Sequence, residues 1–279
     1  MRSPDELREL VEGYLTELAL AAELGELREA VSYSLLGGGK RIRPVLALAS
    51  AQALGVDVER MLPGACSLEL VHTFSLVHDD LPALDDDDLR RGQPSCHAKF
   101  GEAVAILAGD ALLSEALRLA LSYDTPQLAR EVVDATLGMI GGQYIDITTE
   151  GALDAAGLVE LHRLKTGKLL SAPIGCALAL AEPPDGQRRL WRAFAADIGL
   201  LFQIVDDILD ATGTAEELGK TPGKDEAAGK VTYVTLHGLE RSRELADEVR
   251  ARVEGQLNEL DADTSALLEI VATIRERRA

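Results

Sequence analysis

Apolar residues recur at three- and four-residue spacing along almost the whole chain, and this period constrains the fold more than any other feature. Near the start, Leu7, Leu10, Val11, Tyr14, Leu15 and Leu18 form one stripe of a helix. Ser3-Pro4-Asp5-Glu6 ahead of it reads as an N-cap, a proline at the first helical position and a glutamate that closes a capping box. A second short helix ends at Gly37-Gly38-Gly39, and the next runs from Pro44 to Leu54, stopped by Gly55. Further helices are expected at roughly 58–80, 101–122, 126–149, 154–180, 187–211, 231–260 and 264–278. No stretch alternates as a strand would, and no βαβ pattern, short repeat or Pro/Ser/Gly-rich linker appears. The expected architecture is one all-α domain over residues 1–279, a large bundle. Ala103–Leu121 and Leu169–Leu180 are apolar on more than one face, so each is either a central helix or part of a subunit interface.

Composition narrows the function. Hydrophobic residues make up 47% of the 279, enough for a sizeable core. Lys plus Arg number 28 against 47 Asp plus Glu, a formal charge of −19, which argues against a nucleic-acid binder because such binding neutralises phosphates with cations. Three widely spaced cysteines, Cys66, Cys96 and Cys176, offer no disulfide framework or metal knuckle and suit a reducing compartment. MRSPDELREL lacks the apolar core of a secretory signal, and no segment is long and apolar enough to span a membrane. A cytoplasmic protein is expected.

Two acidic segments then stand out against apolar helices: His78-Asp79-Asp80-Leu81-Pro82-Ala83-Leu84-Asp85-Asp86-Asp87-Asp88, and Phe202-Gln203-Ile204-Val205-Asp206-Asp207-Ile208-Leu209-Asp210. Asp206 and Asp210, four apart, share a helix face, where two carboxylates repel each other. A hard divalent cation such as Mg²⁺ relieves that repulsion and takes oxygen ligands. Asp79 and Asp85 lie about 240° apart on a regular helical wheel, so they do not share a face if the helix continues. Pro82 disfavours continuation, and a distorted turn could return Asp85 to Asp79; in a regular helix Asp86 would align better. Cations cluster nearby in Gly38-Gly39-Lys40-Arg41-Ile42-Arg43-Pro44, Arg90-Arg91-Gly92, Lys165-Thr166-Gly167-Lys168, Gly219-Lys220 and Gly229-Lys230. Cations beside a carboxylate–metal site suit a ligand rich in anionic oxygens, above all a diphosphate.

These segments, with ILAGDALL (106–113) and GGQYID (141–146), resemble the trans-isoprenyl diphosphate synthase (polyprenyl synthetase) family, in particular its short-chain bacterial farnesyl and geranylgeranyl diphosphate synthases. The segments run in family order and cover nearly the whole chain. The resemblance implies the all-α isoprenoid synthase fold, a homodimer, and Mg²⁺-dependent condensation of isopentenyl diphosphate with an allylic diphosphate such as dimethylallyl or geranyl diphosphate. Mn²⁺ is expected to substitute. It further implies that Lys40, Arg43, His72 and Arg91 hold isopentenyl diphosphate, and that Asp79, Asp85 and Asp206 ligate the metal with support from Asp80 and Asp210. Arg90, Lys165, Lys220 and Lys230 would contact the allylic diphosphate, with Thr166 and Gln203 near the developing carbocation. Phe74 and Ser75, just upstream of Asp79, would form the floor that sets chain length. An aromatic at Phe74 points to farnesyl diphosphate as product, with geranylgeranyl diphosphate the alternative. A non-catalytic partner subunit and a terpene cyclase are remote alternatives: the first should lose acidic motifs, and the second does not need Lys40, Arg43 and Arg91.

Overall fold

In the computed structural model, residues 1–149, 155–212 and 231–275 are described. The capping box at Ser3 forms as expected, with Glu6 N–H donating to Ser3 Oγ and Ser3 N–H to Glu6, and opens α1 (Pro4–Thr16). Leu7, Val11 and Leu15 from the predicted stripe are buried. After a short 3-10 turn come α2 (Leu27–Leu35) and α3 (Ile42–Ala53), whose residues from Pro44 to Ala51 are all buried. The central helix is α4 (Val58–Asp79), capped by Asp57 and ending at the first acidic segment. Pro63 lies in its second turn and removes one helical donor there, and the next N–H, that of Gly64, donates to Tyr123 Oη at 2.8 Å.

Leu89–Arg90 (β1) and Gln93–Pro94 (β2) form a two-residue-per-strand antiparallel hairpin that the periodicity does not reveal. Arg91 and Gly92 make its turn, both with positive φ (54° and 76°), the geometry that matches strand twist in a tight hairpin. Then come α5 (Cys96–Phe100), α6 (Glu102–Ala120) and α7 (Pro126–Thr148). The helix expected over 154–180 is interrupted. It divides into α8 (Ala155–His162), a π-helical turn (Arg163–Gly167) and α9 (Lys168–Ala181). The long α10 (Asp185–Thr212) carries the second acidic segment. The helix expected over 231–260 breaks at Gly238 (φ 79°) into α11 (Tyr233–His237) and α12 (Leu239–Glu259), and α13 (Ser265–Arg275) follows.

The core joins α3, α4, α6, α7, α9 and α10, so the helices that bear functional segments are also those packed most deeply. No helix among the described residues is long and apolar enough to cross a membrane.

Candidate active site

A cavity of about 410 Å³ lies between α4, α7 and the α8–α9 junction. Arg43, His72, Asp79, Lys165 and Thr166 supply its polar groups, while Phe74, Leu76, Met139, Ile140, Ile147 and Leu169 make its walls apolar. The structure thus brings together seven of the expected site residues, the five polar ones with Phe74 and Ser75. The arrangement suits a ligand with an anionic head and a hydrocarbon tail.

Asp79 ends α4 at the polar side. The chain turns sharply after it, and Asp85 N–H donates to Asp79 O at 2.8 Å. Pro82 therefore interrupts the helix as expected, and the turn returns Asp85, not Asp86, to Asp79. Asp86 instead donates its N–H to Leu81 O and takes a left-handed conformation, φ 49°. Burial, with Asp85 and Asp80 adding repulsion against the opposing pull of Lys165 and Arg90, raises the Asp79 carboxyl to about 6. Gln143 Nε2 donates to Asp79 Oδ1 at 2.9 Å. Asp80 turns away from this cavity. It is buried at 2% exposure and accepts two side-chain bonds from Arg90, with Arg90 Nε at 3.0 Å from Asp80 Oδ1. Burial raises the Asp80 carboxyl, and the Arg90 bonds oppose that rise. Asp80, Arg90 and Arg91 line a separate small space of about 40 Å³.

Lys165 Nζ sits 2.6 Å from Asp146 Oδ2. Its placement depends on the π-helical turn, where one extra residue per turn shifts Lys165 and Thr166 relative to a regular helix; such bulges are frequent at functional sites. Glycines in α7 make the close approach possible. A Cβ at Gly142 would lie 2.6 Å from Lys165 Cα, and one at Gly138 would lie 2.6 Å from Lys168 Cγ.

On α4, Ser75 Oγ donates to His72 O at 2.8 Å. Burial, and then the charges of Arg43, Arg91, Arg90 and Arg41, hold the His72 imidazole well below its usual range, so it is neutral at neutral pH. Phe74 is 7% exposed and packs edge-on against His78, with ring centroids 5.0 Å apart. Lys40 lies elsewhere: it lines a cavity of about 220 Å³ with Asp5, Arg8 and Glu269.

The second acidic segment divides its duties along α10. Asp206 is exposed and Asp210 is half-buried on the same face, whereas Asp207 is buried. Asp207 accepts from Gln203 Nε2 and from Tyr233 N–H, both at 2.7 Å, which ties α10 to the start of α11. Lys220 and Lys230 lie outside the described residues.

Among the described residues, no three His, Cys, Asp or Glu side chains converge tightly enough to hold a metal ion unaided. The all-oxygen donors Asp79, Asp85, Asp206 and Asp210 nevertheless suit Mg²⁺, which takes one or two carboxylates and completes its shell with phosphate oxygens and water. The charge already crowded at Asp79 is the kind a cation would relieve.

Several residues that shape the site escape a motif reading. Gln143 and Asp146 stand within GGQYID but declare their roles only when α7 lies against Asp79 and Lys165. Asp207 looks like its neighbours in sequence, and burial alone separates it from them. Arg41 stands among the loop cations but turns inward.

The sequence profile of the Polyprenyl synthetase family matches residues 25–271. The chain is 44% identical to the heterodimeric geranylgeranyl pyrophosphate synthase large subunit 1 of Arabidopsis thaliana, covering 95% of this chain and 75% of that one. Among solved structures it is similar to a geranylgeranyl pyrophosphate synthase, with a TM-score of 0.91 at 25% identity and full coverage of both chains. It is also similar to a geranyltransferase from Helicobacter pylori complexed with magnesium and isoprenyl diphosphate, with a TM-score of 0.79 at 33% identity over 98% and 95% of the two chains. The architecture is that of the all-α isoprenoid synthase fold.

Proposed function

Because the chain belongs to the polyprenyl synthetase family and is a prenyltransferase, we propose that it condenses isopentenyl diphosphate with allylic diphosphates in a Mg²⁺-dependent reaction whose main product is geranylgeranyl diphosphate. The observation that carries the reading is the cavity itself, with Asp79 and Lys165 at a polar end, Arg43 and His72 beside them, and apolar walls beyond.

Departure of the allylic diphosphate leaves a carbocation, and the barrier falls when charge on the departing oxygens is stabilised. Lys165, held by Asp146, supplies a fixed cation for those oxygens. Asp79, Asp85 and Asp206, with Asp80 and Asp210 in support, would hold Mg²⁺, which supplies Lewis-acid stabilisation of the leaving group. Mn²⁺ is proposed as a substitute. Arg43, His72 and Arg91 bind isopentenyl diphosphate, whose double bond attacks the cation; Lys40, which lines a different cavity, takes no part in this reading. Arg90, Lys220 and Lys230 are proposed to contact the allylic diphosphate, as the family resemblance implies, and Thr166 and Gln203 to stabilise the cation. A proton then leaves to the released diphosphate. The apolar walls exclude water that would otherwise trap the cation.

The relatives named geranylgeranyl pyrophosphate synthases favour the twenty-carbon product over the farnesyl product that Phe74 suggests from sequence. The fifteen-carbon reading keeps one specific support, since Phe74 does line the cavity and packs on His78. Incubation with labelled isopentenyl diphosphate, an allylic primer and Mg²⁺, followed by chromatography, tests both. A twenty-carbon product that disappears with chelator is expected. A fifteen-carbon main product would refute the length assignment, and no product with any primer would refute the activity.

The assembly is a homodimer in this reading. Val133, Leu137, Ile140, Tyr144 and Ile147 form an exposed stripe at four- and three-residue steps on α7, 38–65% exposed, with Ile106 and Leu107 of α6 also exposed. A continuous apolar stripe of this kind marks a protein contact. A cytoplasmic setting is supported by three buried free cysteines.

A further inference from the structure

Three cations follow the glycines of the Gly38–Pro44 segment, and one of them is wholly consumed inside the protein. The Arg41 side chain is 0% exposed. Its Nη1 donates to Glu69 Oε1 at 2.8 Å, its Nε to Glu12 Oε1 at 2.9 Å, and its Nη2 to Leu35 O at 2.9 Å. Burial alone would lower its pKa, but Glu12 and Glu69 hold it above the usual value. With both carboxylates bound, Arg41 has no charge to offer a ligand.

The backbone at Arg41 is also unusual. It takes the left-handed conformation, φ 48° and ψ 34°, at the N-cap of α3, where a non-glycine residue is strained. A buried ion pair is seldom the most stable filling for a core, since apolar residues of similar volume often serve as well or better. Strain and buried charge at one residue therefore ask for another explanation.

The surroundings supply one. The guanidinium ties together α1 through Glu12, the end of α2 through Leu35 O, and α4 through Glu69. This clamps both ends of the Gly38-Gly39-Lys40 turn. Arg91 of the hairpin donates to Gly38 O, and a Cβ at Gly39 would lie 2.8 Å from its Nη2. Arg43, two residues after Arg41, reaches the cavity beside His72, three residues after Glu69 on α4. Arg91 also feels the Glu69 carboxylate.

We propose that Arg41 is a positioning residue: through the Glu12–Arg41–Glu69 triad it fixes Arg43 and Arg91 where they bind the diphosphate of isopentenyl diphosphate, without touching it. This inference rests on the function proposed above.

The test measures steady-state kinetics with each substrate varied in turn, and calorimetric binding of isopentenyl diphosphate with no allylic primer present. For Arg41→Met, KM and Kd for isopentenyl diphosphate should rise at least tenfold. KM for the allylic substrate should stay within twofold and kcat within threefold. Arg41→Lys, which keeps the charge but not the fork of donors, should show a smaller rise of the same pattern. Glu69→Gln should do likewise, so the result stands even if Arg41→Met does not fold. In the charge-free triple variant Glu12→Gln/Arg41→Met/Glu69→Leu, recovered thermal stability with a still-raised KM separates positioning from stability. Equal rises for both substrates, or a wild-type KM in folded variants or in the triple variant, would overturn the inference alone. A wild-type protein that binds isopentenyl diphosphate but makes no prenyl product would sink the functional reading instead.

Discussion

Asp79→Asn should make the metal-free protein more stable at neutral pH while abolishing its activity. The Asp79 carboxyl sits at about 6 in the folded protein against an ordinary value of 3.8. A raised folded value means that the native state binds the proton more tightly than the unfolded chain does. Its contribution to stability is present in full below pH 3.8 and is lost as pH rises through 6. The difference of about 2.2 units, at 1.36 kcal/mol each, is ~3 kcal/mol at pH 7.5 for an ionised Asp79 with no metal bound. Asparagine removes the charge, keeps the shape, and its Oδ1 still accepts from Gln143. Metal-free Asp79→Asn should therefore gain roughly 1–3 kcal/mol at pH 7.5, a rise of roughly 2–5 °C in Tm. At pH 4, where wild-type Asp79 is largely protonated, the two should be nearly equal. Denaturant unfolding of both proteins across pH 4–8 in chelator reads this out. With Mg²⁺ and diphosphate added, wild type should gain stability and the variant much less. A variant no more stable than wild type at pH 7.5, or a difference that does not grow with pH, would refute the claim that burial and Asp85 strain this carboxylate.

Other outcomes follow from packing. Gly142→Ala should push its methyl into the backbone of Lys165, disturb the π-helical turn and lower kcat by tenfold or more, with overall helicity by circular dichroism little changed. The proposed homodimer predicts that wild type sediments as a dimer and that Leu137→Asp with Tyr144→Asp, which puts two charges on the α7 stripe, sediments as a monomer; a monomeric wild type would refute the homodimer, and a dimeric variant would place the interface elsewhere. Phe74→Ala should lengthen the product distribution at identical substrate ratios, at a cost of no more than about 3 kcal/mol in stability, since the ring faces a cavity on one side. Identical product lengths from a folded, active variant would remove Phe74 from the cavity floor.

What sequence makes legible and what it hides divide along one physical line. Helical period, caps and glycine stops are local, so α1, α3, α4, α6, α7 and α10 could be placed within a few residues before any contact was known. Irregular backbone depends on what packs against it. The π-helical turn at Arg163–Gly167 needs Gly138 and Gly142 across from it, and nothing in Lys165-Thr166-Gly167-Lys168 alone announces that extra residue. The hairpin at Leu89–Pro94 is too short for alternation to register, although Arg91-Gly92 carries a turn signal in its glycine. The acidic segments illustrate the same division at the site. Spacing on an ideal wheel separates Asp79 from Asp85, and only the break at Pro82, followed by the bond from Asp85 N–H to Asp79 O, returns them to one place. Counting charges also treats alike residues that burial later separates. Asp206 and Asp207 are neighbours in one motif, yet one is exposed on the α10 face it shares with Asp210 and the other fastens α10 to α11. Lys40, Arg41 and Arg43 are three cations within four residues at the start of α3. Arg43 enters the cavity, Lys40 lines a different one, and Arg41 is buried between two glutamates. A motif therefore names the chemistry that a segment can supply, and the backbone turn beneath each residue decides which of its groups reaches a substrate and which holds the others in place.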